Sequence, residues 1–143
     1  MAVAKEPELY ACAVGYVGVY DLPMMYKNGD IPQTGSGKNY LRDALGSEGL
    51  EETSPARLAE RIVAPVLLVA GGADERTPIE QTEAMERALK AVGRPPQTLY
   101  KRTEGHGFYD EANRLELQQT VLAFLDRHIG SGWKATASTP AAR

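Results

Sequence analysis

Residues 65–78 read PVLLVAGGADERTP, and this short segment carries several structural signals in a row. Residues 66–70 are apolar throughout, which is typical of a strand buried on both faces of a parallel sheet. Two glycines and Asp74 follow, as expected for a tight turn where that strand ends. Thr77-Pro78-Ile79-Glu80 then matches a capping box in which Thr77 is the N-cap and Glu80 is N3. The segment therefore predicts a strand, a turn and a helix in direct succession.

The regions on either side of this segment extend the same alternation. Upstream, residues 9–19 (LYACAVGYVGV) predict a first strand, also buried on both faces, and Ser54 followed by Pro55 predicts a helix N-terminus. A short helix is expected at residues 40–45. Downstream, residues 97–102 predict a more polar third strand, and residues 110–129 predict the last helix. Strands that alternate with helices indicate a parallel α/β sheet with helices on its faces.

Composition describes an ordinary globular chain and excludes several classes of function. The chain has 143 residues, of which 43% are hydrophobic and 24% charged, and its formal net charge is -3. Cys12 is the single cysteine, so no intramolecular disulfide is possible, and Cys12 with His106 and His128 makes no credible metal cluster. The longest apolar run is far too short for a membrane span, and the interspersed charges suggest neither nucleic acid nor membrane as a partner.

Two residues at the expected carboxyl edge of the sheet are candidates for chemistry. Asp74 follows the central strand, and His106 lies between two glycines after the third strand. Taken alone, Asp74 could simply accept hydrogen bonds from its own turn, and His106 could be a turn residue. Taken together, an acid after one strand and a histidine after the next match the second and third members of a Ser-Asp-His triad in an α/β-hydrolase.

Other polar and aromatic residues have simpler interpretations. We expect Asp21 to be a turn former, and Asp110 to favour the start of the last helix through its dipole. His128 lies in the last turn of that helix, where its charge suits the opposite end of the dipole. Tyr20 and Tyr26 are left open between core, rim and substrate wall.

The motifs resemble the prolyl oligopeptidase family of serine peptidases. Residues 65–78 resemble the family segment P-x-L-L-x-x-G-x-x-D-x-x-V-P, with Thr77 in place of the usual valine. Residues 104–108 (EGHGF) match the family's catalytic histidine loop, and the final amphipathic helix matches its last helix. Residues 7–14 (PELYACAV) resemble the strand that comes soon after the nucleophile's helix. The resemblance extends over about residues 1–130.

This resemblance implies a partial α/β-hydrolase fold, with about three parallel strands and helices packed on their faces. It also implies that Asp74 orients His106, that His106 is the general base and acid in hydrolysis of a peptide substrate, and that no cofactor or metal is needed. The family's nucleophile lies in a G-x-S-x-G-G turn, and none of the five serines here lies in such a motif. Ser36, in TGSGK, has the wrong glycine spacing for it, and Pro32 and Asn39 also exclude a P-loop. Cys12 lies inside the first predicted strand and is interpreted as a structural thiol.

Two hypotheses follow for the chain as a whole. In the first, residues 1–130 are the C-terminal portion of a peptidase catalytic domain, residues 131–143 are a flexible tail, and the isolated chain is inactive. In the second, the chain is a non-enzymatic self-associating or binding module derived from a truncated hydrolase. We expect it to form a homodimer or larger oligomer through the exposed edge of the first strand. Exopeptidase, endopeptidase and esterase activities stay open. The cellular compartment also stays open. The sequence as it stands suggests the cytoplasm, and an intact protein could be periplasmic or secreted.

Overall fold

The computed structural model describes residues 1–131 as a three-stranded sheet with helices on its faces. Three short 3-10 helices lie in the connections, two before α2 and one before β2. The strands are β1 (Ala13–Tyr16), β2 (Val66–Gly71) and β3 (Gln97–Lys101); the α-helices are α1 (Ala2–Lys5), α2 (Gly35–Leu45), α3 (Ile79–Ala91) and α4 (Glu111–Ile129); the 3-10 helices are Leu22–Tyr26, Ile31–Gln33 and Pro55–Arg61.

All strand pairs are parallel, and the strand order is β1-β2-β3. Ala13 pairs with Val66 at one side of β2, and Leu67 pairs with Gln97 at the other. Because the strands are parallel, their carboxyl ends lie at the same edge of the sheet. The predicted partial α/β fold with about three parallel strands is confirmed.

The central strand β2 holds the core together because all of its residues are buried. Alternate side chains of a strand point to opposite faces. Leu68 accordingly packs with Met85 and Leu89 of α3, and Val69 packs with Phe108 and with Phe124 of α4. Each face of β2 therefore has its own apolar cluster and its own helix.

The first strand is shorter than predicted, and it is not buried on both faces. It covers only Ala13–Tyr16 of the expected residues 9–19, and Val14 and Tyr16 are each 38% exposed. Within residues 1–131, β1 has β2 as its only strand neighbour. The near-continuous apolar sequence therefore overestimated both the length of the strand and its burial in this structure.

The helix expected after Ser54 is a 3-10 helix, and Ser54 does not cap it. Its hydroxyl donates to the carbonyl of Leu50 at 2.6 Å and accepts from the backbone N–H of Leu22 at 2.8 Å, so it ties together two loops. The helix expected at residues 40–45 begins earlier, at Gly35, because Thr34 accepts a hydrogen bond from the N–H of Gly37. The sequence patterns predicted neither the tertiary partners of Ser54 nor the role of Thr34 as N-cap.

The last helix has nearly the expected bounds, with Asp110 as its N-cap. Its apolar side is less buried than predicted: Phe124 is 2% exposed, Leu117 and Val121 are half-buried, and Ile129 is 54% exposed. Apart from Ser131, the predicted tail at residues 131–143 lies outside the described residues. In the described part of the chain, the helices lack the combination of length and hydropathy that a membrane crossing needs.

Candidate active site

Asp74 is held by the backbone of its own turn, directly beyond β2. Its side chain is completely buried. One carboxylate oxygen, Oδ1, accepts hydrogen bonds from the N–H groups of Arg76 at 2.9 Å and Thr77 at 2.8 Å. These bonds are the turn-forming role that the sequence left open, and they occupy one oxygen only. The second oxygen, Oδ2, lies 2.9 Å from Nδ1 of His106.

Thr77 belongs to this cluster and does not cap α3 as predicted. The helix begins at Ile79, after Pro78, and no side chain caps it. The Thr77 hydroxyl instead lies 3.0 Å from Asp74 Oδ2, 3.0 Å from the carbonyl oxygen of Val17 and 3.1 Å from His106 Nδ1. The apparent capping box was a wrong prediction because these tertiary partners take the hydroxyl that a cap needs.

The loop that carries His106 is anchored by the buried carboxylate of Glu104. This carboxylate accepts hydrogen bonds from Asn113 Nδ2 at 2.7 Å and from the N–H groups of Tyr109 at 2.7 Å and Asp110 at 3.1 Å. The bond from Asn113 and the two backbone bonds lower the pKa of Glu104 below its usual 4.5. No sequence pattern predicted a role for Glu104, although it is the first residue of the EGHGF motif.

The Asp74 turn and the His106 loop cross at very close range. The Ala73 N–H donates to the Glu104 carbonyl at 2.9 Å, and the Gly72 N–H donates to the Lys101 carbonyl at 2.8 Å. A Cβ atom on Gly71 would collide with the carbonyl oxygens of Glu104 and Gly105. Glycine at the end of β2 is therefore what lets the two loops meet.

The hydrogen-bonding roles of His106 follow from its partner. An ionised carboxylate only accepts hydrogen bonds, so Nδ1 of the neutral imidazole carries the proton and Nε2 carries a lone pair. The side chain of His106 is 47% exposed, whereas that of Asp74 is fully buried. A buried acid thus orients an imidazole whose opposite nitrogen is available as a base.

A cavity of about 990 Å³ lies next to His106 and Thr77. Its wall is largely apolar, with Leu22 and Met25 from the first 3-10 helix and Leu41 from α2. This open cavity gives a substrate group space beside the histidine.

An ion pair that the sequence analysis missed closes one side of the cavity. Arg76 donates from Nε and Nη2 to the carboxylate of Asp30, with a shortest distance of 2.8 Å. The Asp30 N–H also donates to the Glu75 carbonyl at 2.8 Å. These bonds fasten the second 3-10 helix to the Asp74 turn, and no sequence pattern links residues so far apart.

The remaining candidates lie in less central positions. Cys12 is half-buried just before β1 and packs against the apolar cluster under α4, and burial raises the pKa of its thiol. Asp21 accepts from the N–H of Met24, as a turn former does. His128 stacks edge-on against Phe124. Tyr20 is buried, and the Tyr26 hydroxyl donates to the Leu41 carbonyl. Neither tyrosine lines the cavity beside His106.

Ser36 does line the cavity, in the first turn of α2. Its hydroxyl lies 3.3 Å from that of Thr34, and no hydrogen bond joins it to His106 within residues 1–131. Among those residues there is also no group of three or more His, Cys, Asp and Glu side chains suited to a metal ion. The structure therefore brings Asp74 and His106 together and leaves Ser36 outside their hydrogen-bond network.

One family model matches nearly the whole chain. The model of the prolyl oligopeptidase family matches residues 1–132. This chain belongs to the prolyl oligopeptidase family. Among its relatives, the mouse acylamino-acid-releasing enzyme is 29% identical over 137 residues, which is 90% of this chain and 19% of the enzyme. The resemblance inferred from the sequence motifs is confirmed.

Solved structures of peptidases share the fold. The acylaminoacyl peptidase of Pyrococcus horikoshii superposes with a TM-score of 0.79 at 20% identity, over 92% of this chain and 22% of that one. A puromycin-hydrolyzing peptidase of Mycobacterium tuberculosis superposes with a TM-score of 0.74 at 28% identity, over 88% of this chain and 19% of its own. The chain spans about a fifth of the length of the curated relatives it matches.

Proposed function

We propose that Asp74 and His106 are the acid and the base of a Ser-Asp-His triad in a serine peptidase of the prolyl oligopeptidase family. The observation that carries the proposal is the 2.9 Å contact between His106 Nδ1 and the fully buried Asp74 Oδ2. A buried carboxylate fixes the imidazole tautomer and stabilises the imidazolium that forms during the reaction. His106 Nε2 then takes the proton of the nucleophile and returns it to the leaving amine.

We also propose that the nucleophile and the oxyanion hole come from residues that are not in this sequence. The five serines of the chain lack the G-x-S-x-G setting that presents a nucleophile on a strand-to-helix turn. Residues 1–130 then correspond to the C-terminal portion of the catalytic domain, with residues 131–143 as a tail. Without a nucleophile and an oxyanion hole, the isolated chain is inactive.

The substrate of the complete site is proposed to be a peptide or an acylated peptide. The named relatives are acylamino-acid-releasing and dipeptidyl peptidases, which supports this class. The apolar cavity beside His106 offers space for an uncharged side chain of the substrate. Asp30 supplies a carboxylate to the cavity wall, but this carboxylate is already paired with Arg76. No cofactor takes part in this chemistry, since proton transfer by His106 and acylation of the nucleophile suffice.

A fluorophosphonate probe, which labels activated serines, tests this proposal. We expect no labelling of the 143-residue chain, and stoichiometric labelling would reveal a nucleophile within it. A fused chain, in which the G-x-S-x-G-G segment of a family member precedes Met1, is expected to label. In that fusion His106→Gln should abolish labelling, whereas the matched change His128→Gln should leave it intact. Equal labelling of both fused variants would contradict the role of His106.

A second candidate function, self-association, is favoured by the exposed edge of β1. Along one side β1 pairs with β2, and no strand of residues 1–131 pairs along the other. Val14, Leu117 and Leu122 line a groove of about 400 Å³ beside this edge. We propose that a second copy covers the edge and forms a homodimer or larger assembly. Light scattering at micromolar concentration tests this proposal, and a stable monomer would contradict it.

A further inference from the structure

The carboxyl end of β1 contacts both loops of the candidate site, although β1 carries neither Asp74 nor His106. Tyr16 is the last residue of the strand, and its Oη accepts a hydrogen bond of 2.8 Å from the N–H of Phe108. The two rings meet edge to face, with centroids 5.5 Å apart and planes at 86°. Phe108 lies two residues after His106, so a side chain of β1 fixes the backbone of the histidine loop.

The next residue, Val17, contacts the other loop. Its φ of 45° lies in the left-handed region, which a β-branched residue rarely adopts. Its N–H still donates to the Val69 carbonyl at 2.9 Å, so the chain leaves the sheet only after this bond. Its carbonyl accepts from the Thr77 hydroxyl at 3.0 Å. Strained backbone is therefore found where the strand meets the Asp74 turn.

The contact with Val17 gives the Thr77 hydroxyl a second possible acceptor, beside Asp74 Oδ2. A hydroxyl has one proton, and both Val17 O and Asp74 Oδ2 can only accept it. Whichever of these two oxygens takes the Thr77 proton, Asp74 Oδ2 can also accept from His106 Nδ1, because a carboxylate oxygen has about two lone-pair sites. The Val17 carbonyl thus links the end of β1 to the Asp74 turn through Thr77.

Packing alone does not account for the Tyr16 hydroxyl. A phenylalanine at this position would present the same ring to Phe108, and Tyr16 as a residue is 38% exposed at the edge of the sheet. What the hydroxyl adds is an acceptor for a loop amide that otherwise needs water. Burial raises the pKa of Tyr16, so the hydroxyl is neutral at neutral pH.

We propose that Tyr16 is a positioning residue for His106. Its hydroxyl holds the Phe108 amide and thereby keeps the imidazole within hydrogen-bond reach of Asp74, while the Val17 carbonyl holds Thr77. The inference rests on the proposed function of the Asp74–His106 pair. It adds Tyr16, a residue of β1, to the residues that determine the geometry of that pair.

NMR of the full 143-residue chain with labelled histidine tests this role. The Tyr16→Phe variant keeps the ring and removes the acceptor. We expect the Nδ1 proton of His106 to exchange with water about fivefold faster, as the loss of one hydrogen bond worth about 1 kcal/mol predicts. The matched control is Tyr109→Phe, in the same loop. Tyr109 is 80% exposed, and its hydroxyl makes no hydrogen bond in residues 1–131, so exchange should not change.

The outcomes separate positioning from packing. Faster exchange of both the Phe108 amide and the His106 Nδ1 proton supports the proposal. Faster exchange of the Phe108 amide alone shows a purely structural role and overturns it. Unfolding of Tyr16→Phe, seen by circular dichroism, also overturns it, because the proposed effect is local. Absence of a protected Nδ1 proton in the unmodified chain would instead refute the Asp74–His106 pair itself.

Discussion

The side chains of Asp74 and His106 differ in burial and in the residues that hold them in place. Asp74 is fully buried, and the amides of its own turn, from Arg76 and Thr77, bind one carboxylate oxygen. The side chain of His106 is 47% exposed. Its loop is held by Glu104, a residue of the loop itself, and by Tyr16 of β1.

This difference separates local from long-range determinants of the site. One carboxylate oxygen of the acid is bound by amides a few residues along the same turn, so this part of its support is local to one segment. The histidine loop depends on Glu104 and Asn113, which are near in the sequence, and also on Tyr16 of β1, which is far away. Changes in those partners should therefore move His106 while leaving Asp74 in place.

The largest expected effect comes from Gly71, where the two loops cross. Gly71→Ala places a Cβ against the backbone carbonyls of Glu104 and Gly105, which cannot move as a side chain would. We expect a loss of about 3 kcal/mol in the free energy of unfolding. Urea denaturation followed by circular dichroism measures it.

Gly105→Ala is the matched control for this change. Its Cβ would meet only the Ala73 carbonyl, at 3.8 Å, so we expect a change within about 0.5 kcal/mol. Similar losses in the two variants would show that the close crossing at Gly71 is not what joins the loops.

A smaller, pH-dependent effect is expected from Glu104→Gln, which weakens only the support of the histidine loop. Hydrogen bonds from Asn113, Tyr109 and Asp110 lower the pKa of Glu104 below 4.5. The carboxylate therefore contributes its full stability above about pH 4.5, and this contribution is lost as pH falls through the lowered folded pKa. The variant should be less stable than the unmodified chain near neutral pH, and the two should converge in acid.

Urea midpoints at about pH 7 and about pH 3.5 measure that convergence. Glu111→Gln, in the exposed first turn of α4, is the control and should show a much smaller difference at either pH. A stability gap for Glu104→Gln that stays constant between the two pH values would contradict the assigned role of its charge.

The same contrast explains how much of the molecule could be predicted from its sequence. The central strand, its turn and Asp74 were predictable because an apolar run, glycines and an acid follow one another within one segment. The order of strands and helices was predictable for the same reason. His106 was found through its glycine-flanked motif and its place after a strand.

The partners of these residues were not predictable because they are tertiary. Thr77 looked like a helix cap, and only the folded chain shows its hydroxyl between Val17, Asp74 and His106. Ser54 likewise binds Leu22 and Leu50 in place of a helix terminus. In each case a short polar side chain with a plausible local partner has a distant one instead. Local patterns contain no information about that competition.

The most direct test of the central claim is the tautomer of His106, measured by ¹⁵N NMR of the ring nitrogens in the 143-residue chain. If buried Asp74 orients this imidazole as a base, the neutral ring carries its proton on Nδ1 and leaves Nε2 bare, and Asp74→Asn weakens that preference. A neutral ring protonated mainly on Nε2 in the unmodified chain would contradict the proposed triad chemistry.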